Sequence, residues 1–111
     1  RSADLTTKKI AGNQDTPDIT PPELFSLEQN YPNPFKNATV IVYNIAAAGH
    51  VTIKLFDILG REVALLTDEP KEAGRYWLRL TPGSLNLPSG VYFYTLQAGS
   101  YNSTRKMILV K

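Results

Sequence analysis

The residues able to do chemistry in this chain are few. His50 is the single histidine, and there is no cysteine. Zinc sites are built from several His, Cys or carboxylate ligands, so a metal centre would rest on one imidazole and carboxylates alone. A nucleophilic triad would need the same imidazole beside an activated serine, and no Gly-x-Ser-x-Gly turn is present. His50 follows Gly49 and reads as an exposed turn residue. Asp68, Glu69 and Glu72 form the main acidic cluster. Paired carboxylates hydrolyse glycosidic bonds, but these three share one charged connection, Asp68–Gly74, and catalysis needs a rigid support. They read as a solvated loop. Asp57, in Asp57-Ile58-Leu59-Gly60, carries a carboxylate suited to calcium, and equally suited to capping its own turn. The cap is the preferred reading. Glycine-rich phosphate loops are absent. The sequence therefore implies no enzyme, no catalytic residue, no metal ligand and no cofactor.

The aromatic residues suggest binding instead. Trp77 lies opposite the face formed by Tyr76, Leu78 and Leu80. Tyr92 and Tyr94 share one face of their strand, and Tyr101 follows in the next turn. Flat rings on a sheet stack on sugars, which makes a carbohydrate-binding β-sandwich module of a secreted hydrolase one alternative. The blander reading packs Tyr92 and Tyr94 into the core or into cross-strand pairs. A structural spacer domain of an adhesin is a third possibility.

The elements that would position these residues are all strands. Phe25–Gln29, Thr39–Ile45, Val51–Asp57, Glu62–Thr67, Arg75–Leu80, Val91–Gln97 and Thr104–Val110 are short β-branched or aromatic runs separated by turn residues. In Val51–Asp57, apolar Val51, Ile53 and Leu55 alternate with Thr52 and Lys54, as a half-buried antiparallel strand requires. Alternation predicts a core of Ile41, Tyr43, Val51, Ile53, Leu55, Val63, Tyr76, Leu78, Val91, Phe93 and Leu109. No helix of useful length is expected. Asn30–Phe35 carries Pro32 and Pro34, cannot donate a full ladder, and must bend. The expected fold is all-β, an immunoglobulin-like antiparallel sandwich of about seven strands over residues 24–111.

Residues 1–23 have another texture. Ala3, Leu5, Ile10, Ala11 and Ile19 are their only apolar side chains, among Thr, Asp, Asn, Lys and three prolines. Such a composition buries too little surface to offset its ordering entropy. It reads as a flexible linker to an upstream domain, with an edge strand within Lys8–Asn13 as the minority reading. Arg1 in place of Met suggests part of a longer protein. Lys and Arg total 12 against 10 Asp and Glu, and the basic residues are scattered, so the chain lacks the basic stripe of a nucleic-acid binder. No apolar run approaches the ~20 residues of a transmembrane helix.

Several segments, taken in order, resemble one family. Leu27-Glu28-Gln29-Asn30-Tyr31-Pro32-Asn33-Pro34-Phe35 opens the resemblance. Thr39–Tyr43, Val51–Asp57 and Gly60-Arg61-Glu62-Val63 continue it. Ala73-Gly74, Leu87-Pro88-Ser89-Gly90-Val91-Tyr92-Phe93-Tyr94 and Lys106-Met107 complete it. Together they are similar to the C-terminal sorting domain of the type IX secretion system of Bacteroidetes and related bacteria. Lys36-Asn37 after Phe35, where the family usually has Asn-Pro, and Leu80, where tryptophan is frequent, are departures.

The resemblance implies a signal domain rather than a catalyst. It would direct a larger cargo from the periplasm of a Gram-negative bacterium across the outer membrane, for release or for display at the cell surface. The implied partners are the outer-membrane translocon, a surface sortase that removes the domain, and the upstream cargo. The residues this implies for translocon recognition are Gly90, Tyr92, Lys106, Met107, Ile108, Leu109, Val110 and Lys111. Asn30, Tyr31, Pro32, Asn33, Pro34 and Phe35 would form a structural motif. Sortase cleavage is expected in the linker, around Thr16, Pro17, Asp18, Ile19 and Thr20.

Overall fold

The computed structural model describes residues 5–9 and 24–111. Among the described residues, eight strands form two four-stranded antiparallel sheets. The first sheet has the order β1 (Leu5–Lys9), β6 (Gly74–Leu80), β3 (Thr39–Ile45), β2 (Ser26–Leu27). The second runs β5 (Glu62–Lys71), β4 (Gly49–Asp57), β7 (Gly90–Ala98), β8 (Tyr101–Leu109). The expected immunoglobulin-like sandwich is present. Seven of the strands come from residues 24–111, and β1 adds an eighth within the stretch expected to be a linker. It pairs with β6 from Leu5 opposite Leu80 to Lys9 opposite Tyr76. The proposed cleavage stretch, Thr16–Thr20, lies outside the described residues.

Alternation builds the core as expected on β3, β4 and β6. Ile41, Tyr43, Val51, Ile53, Leu55 and Leu78 are fully buried, and Tyr76 and Leu109 nearly so. Three expected core residues are not. Val91 and Phe93 are only half-buried, while Tyr92, Tyr94 and Leu96 fill the interior. The run Val91–Leu96 is apolar on both faces, so a one-residue shift of face costs little apolar area. The tyrosines accept burial because their hydroxyls find partners: Tyr92 donates to the Pro88 carbonyl at 2.6 Å and Tyr94 to the Glu28 carbonyl at 2.7 Å. Val63 is also only half-buried, although it packs against the core. It falls at a bulge: Leu55 pairs with Ala64 and Phe56 with Glu62, so Val63 is skipped. A second bulge skips Leu66, and Ala64, Leu66 and Thr67 turn inward.

Other bounds shift too. The expected charged connection after Thr67 begins as strand, since β5 continues through Asp68, Glu69 and Pro70 to Lys71. Pro70 is tolerated because β5 is an edge strand. The expected first strand, Phe25–Gln29, shrinks to Ser26–Leu27. A four-residue helix, α1 (Pro82–Leu85), sits between β6 and β7.

The two face assignments separate in a mutational test. Leu55→Ala, at a site with no exposure, is expected to lower stability by ~2–5 kcal/mol. Val91→Thr, on the outer face, is expected to cost under about 1 kcal/mol. Urea denaturation of both variants measures the contrast, and reversed magnitudes would refute the register.

Candidate functional site

β8 is the edge of its sheet, so its outward backbone groups need partners other than β7. The segment Gln29–Phe35 supplies them. Phe35 N–H donates to the Ile108 carbonyl at 3.0 Å, and Val110 N–H donates to the Phe35 carbonyl at 2.9 Å. Ile108 N–H donates to Asn33 Oδ1 at 2.8 Å, and Gln29 Nε2 donates to the Lys106 carbonyl at 2.7 Å. Slightly further back, Arg105 Nε donates to the Leu27 carbonyl at 2.8 Å. The last strand is thus tied down by side chains and by a single parallel bridge between Phe35 and Leu109.

The shape of that segment is fixed from behind. Both Tyr31-Pro32 and Asn33-Pro34 are cis peptides. Asn30 is buried and acts as a hub. Its N–H donates to the Tyr94 hydroxyl at 2.7 Å, and its Nδ2 donates to Thr39 Oγ1 at 2.9 Å and to the Pro32 carbonyl at 3.1 Å. Thr39 Oγ1 in turn donates to the Pro32 carbonyl at 2.9 Å. Tyr31 exchanges backbone bonds with Val40, both at 2.9 Å. A buried, fully partnered polar network of this kind specifies one loop conformation. Burial pushes the Tyr94 phenol up to about 12, with the Asn30 N–H and Arg105 pulling weakly the other way.

The residues implied for recognition do not form one surface. Met107 and Leu109 are core, and Tyr92 is buried with its hydroxyl bonded to Pro88. Gly90, Lys106, Val110 and Lys111 are exposed, and Ile108 is half-buried on the outer face. Gly90 has φ 154° and begins β7. Lys111 borders a cleft of about 550 Å³ with Lys36, Asn37 and the stretch Thr81–Ser84. In the double-proline segment, Asn30 and Phe35 are buried, while Tyr31, Pro32, Asn33 and Pro34 are exposed. Gln29 and Arg105 are not among the residues that the sequence singles out for a site. Their sole signal is a polar side chain at a position that faces a backbone edge.

The residues weighed for chemistry are accounted for locally. Asp57 Oδ1 accepts from the Leu59 and Arg61 N–H groups at 2.9 and 3.0 Å, and Oδ2 accepts from Arg61 Nε at 2.8 Å. These bonds, the Arg61 N–H first, hold its carboxyl below the usual range. It caps the turn, with Gly60 at φ 84°. His50 is exposed at the start of β4 and shares a hydrogen bond between Nε2 and Asp68 Oδ1. Among the described residues no His, Cys, Asp and Glu group is arranged to hold a metal ion. The sugar platform is not assembled, because Tyr92 and Tyr94 are inside. Trp77 is half-buried, and Tyr101 stacks on Phe25 at 5.4 Å.

A family model described as the secretion system C-terminal sorting domain matches residues 29–111, from the segment that closes on β8 to the last residue. The chain belongs to that family. No curated protein matches it. The sorting domain thus carries a type IX secretion signal for a cargo chain bound for the cell surface or the medium. No helix among its described residues is long and apolar enough to cross a membrane.

The hub has a measurable signature. Tyr94→Phe leaves the Asn30 N–H and the Glu28 carbonyl unpartnered and is expected to cost ~1–3 kcal/mol at neutral pH. Because the folded state raises the phenol's value, its contribution is complete below pH ~10, the unfolded tyrosine value, and drains as pH rises towards about 12. Tyr43, Tyr76 and Tyr92 are raised chiefly by burial as well. Stability of the parent should therefore fall steeply above pH ~10. The Tyr94→Phe variant should show a shallower fall. Parallel alkaline limbs in pH-jump denaturation would contradict the assignment.

Proposed function

We propose that the export signal is read at the tethered end of β8, through exposed Lys106, Val110 and Lys111, with Gly90 beside them on β7. The observation that supports this reading is the cross-bracing of the last strand by Gln29, Asn33 and Phe35. An edge strand whose outward backbone groups lack partners would otherwise be loosely held. Bracing gives it one fixed presentation. Met107 and Leu109 anchor the strand in the core, so their role in recognition is indirect. The outer-membrane translocon is the reader in this proposal. A surface sortase then separates the domain from its cargo within Thr16–Thr20, and the cargo is anchored or released. The route to the translocon passes through the periplasm.

The test fuses a reporter upstream of the chain in a type IX-secreting bacterium. The surface-to-periplasm ratio and the thermal midpoint are measured together. Lys106→Gln with Lys111→Gln is expected to keep the midpoint within a few degrees and to lower the ratio at least tenfold. Asn33→Ala, which releases the Ile108 N–H, should lower the ratio with a modest loss of stability. Normal export of a chain lacking residues 107–111 would overturn the proposal.

A further inference from the structure

The outer face of the sheet β5-β4-β7-β8 is more apolar than a solvated face needs to be. The backbone register places Glu62, Phe56, Phe93 and Lys106 in one row across its four strands. The two phenylalanines occupy the central strands, half-buried and outside the core cluster. Towards the Gly90 end, Val91 pairs with Ile108, both half-buried and also outside that cluster. Beyond β4, the capped turn carries Ile58 and Leu59 at 68% and 73% exposure. Turn tips normally hold polar residues. This one is rigidly held and apolar.

The order of charges across the face is informative. A partner for the central row must offer base, apolar, apolar, acid in the reverse sense. A second copy of the chain offers that order when a two-fold axis runs parallel to the strands between β4 and β7. Glu62 of each copy then faces Lys106 of the other, and Phe56 faces Phe93. The next row, Leu65, Lys54, Thr95 and Thr104, places Lys54 against threonine. The row after that, Asp68, Thr52, Gln97 and Asn102, places Asp68 against Asn102. No like charges meet in these three rows. The apolar turn of each copy falls at the Val91 end of the other. Within one copy Glu62 already contacts Lys54 at 3.6 Å, but both side chains are about two-fifths exposed, and such a pair contributes little.

We infer that this sheet face is a self-association surface, on which two copies of the chain pack face to face as an isologous dimer. Four strands ~4.8 Å apart and about six residues deep give on the order of 400 Å² per copy. The total, near 800 Å², is below the ~1,200 Å² of the smaller stable interfaces. The dimer is therefore weak and reversible, and it covers the apolar face only at high local concentration. This goes beyond the export reading and does not depend on it.

Sedimentation equilibrium of the full chain tests it. The expected result is a monomer at about 10 µM and a monomer–dimer mixture near 1 mM, the range such a small interface supports. Glu62→Lys and Lys106→Glu each set like charges opposite one another, and each alone should weaken association at least fivefold. An equimolar mixture of the two variants restores both pairs in a heterodimer and should recover the parent's association. Thr95→Arg, which confronts Lys54, is a third variant that should weaken it at no cost to the core. Melting curves establish that every variant is folded. A parent that stays monomeric to 1 mM overturns the inference, as does association unchanged in all three variants. A monomeric parent that co-floats with vesicles of anionic phospholipid would reassign the face to a lipid surface and equally overturn it.

Discussion

An edge strand must satisfy its outward backbone groups or leave them to recruit another strand. In this domain the edge in question is β8. The solution is a segment that pairs without being a strand. Two prolines deprive Tyr31–Phe35 of two N–H donors, so it cannot offer a continuous ladder of its own. It nevertheless places one backbone unit, Phe35, and one side-chain oxygen, Asn33 Oδ1, where Ile108 and Val110 need them. The strand is covered by something that cannot template a further strand. Asn30 makes this possible, because its buried amide holds the segment's start to Thr39 and its backbone N–H meets Tyr94.

Tyrosine recurs wherever the interior meets the rim. Tyr76 donates to the Glu72 carbonyl, Tyr92 to that of Pro88 and Tyr94 to that of Glu28. Each contributes apolar area inward and closes one backbone acceptor at the margin. A chain without cysteine lacks disulfide staples, and this use of amphipathic side chains ties loops to strands by other means. The sheet that carries β8 is held this way at two points on β7, Tyr92 and Tyr94.

Much of this was legible in the sequence, and the failures have physical causes. Val51–Leu55 alternates cleanly, because one face is apolar and the other polar, and its burial follows directly. Val91–Leu96 is apolar at nearly every position, so alternation could not choose between its faces. The deciding signal lay further along the strand, where Thr95 and Gln97 share the parity of Val91 and Phe93. Val63 was misplaced by a bulge, which consumes a residue without any mark in composition. Asp68–Lys71 looked like a loop because it is charged and holds a proline, yet an edge strand tolerates both. The tethering of β8 was invisible for another reason. It pairs residues 75 to 78 positions apart through side chains, and no local pattern reports such a contact. The motif around Asn30–Phe35 could be recognised as a unit, but its task had to be seen in space.

The placement of β1 bears on what cutting the chain would do. Leu5–Lys9 is hydrogen-bonded to β6 across five residue pairs, and it lies upstream of Thr16–Thr20. A peptide bond broken in that stretch would leave β1 on the upstream product and β6 on the sorting domain. Scission and separation are then different events. The two products would still be joined by a noncovalent ladder, as the halves of a split protein are, until that one strand is peeled or sheared away. Its departure leaves β6 as the new margin of the first sheet.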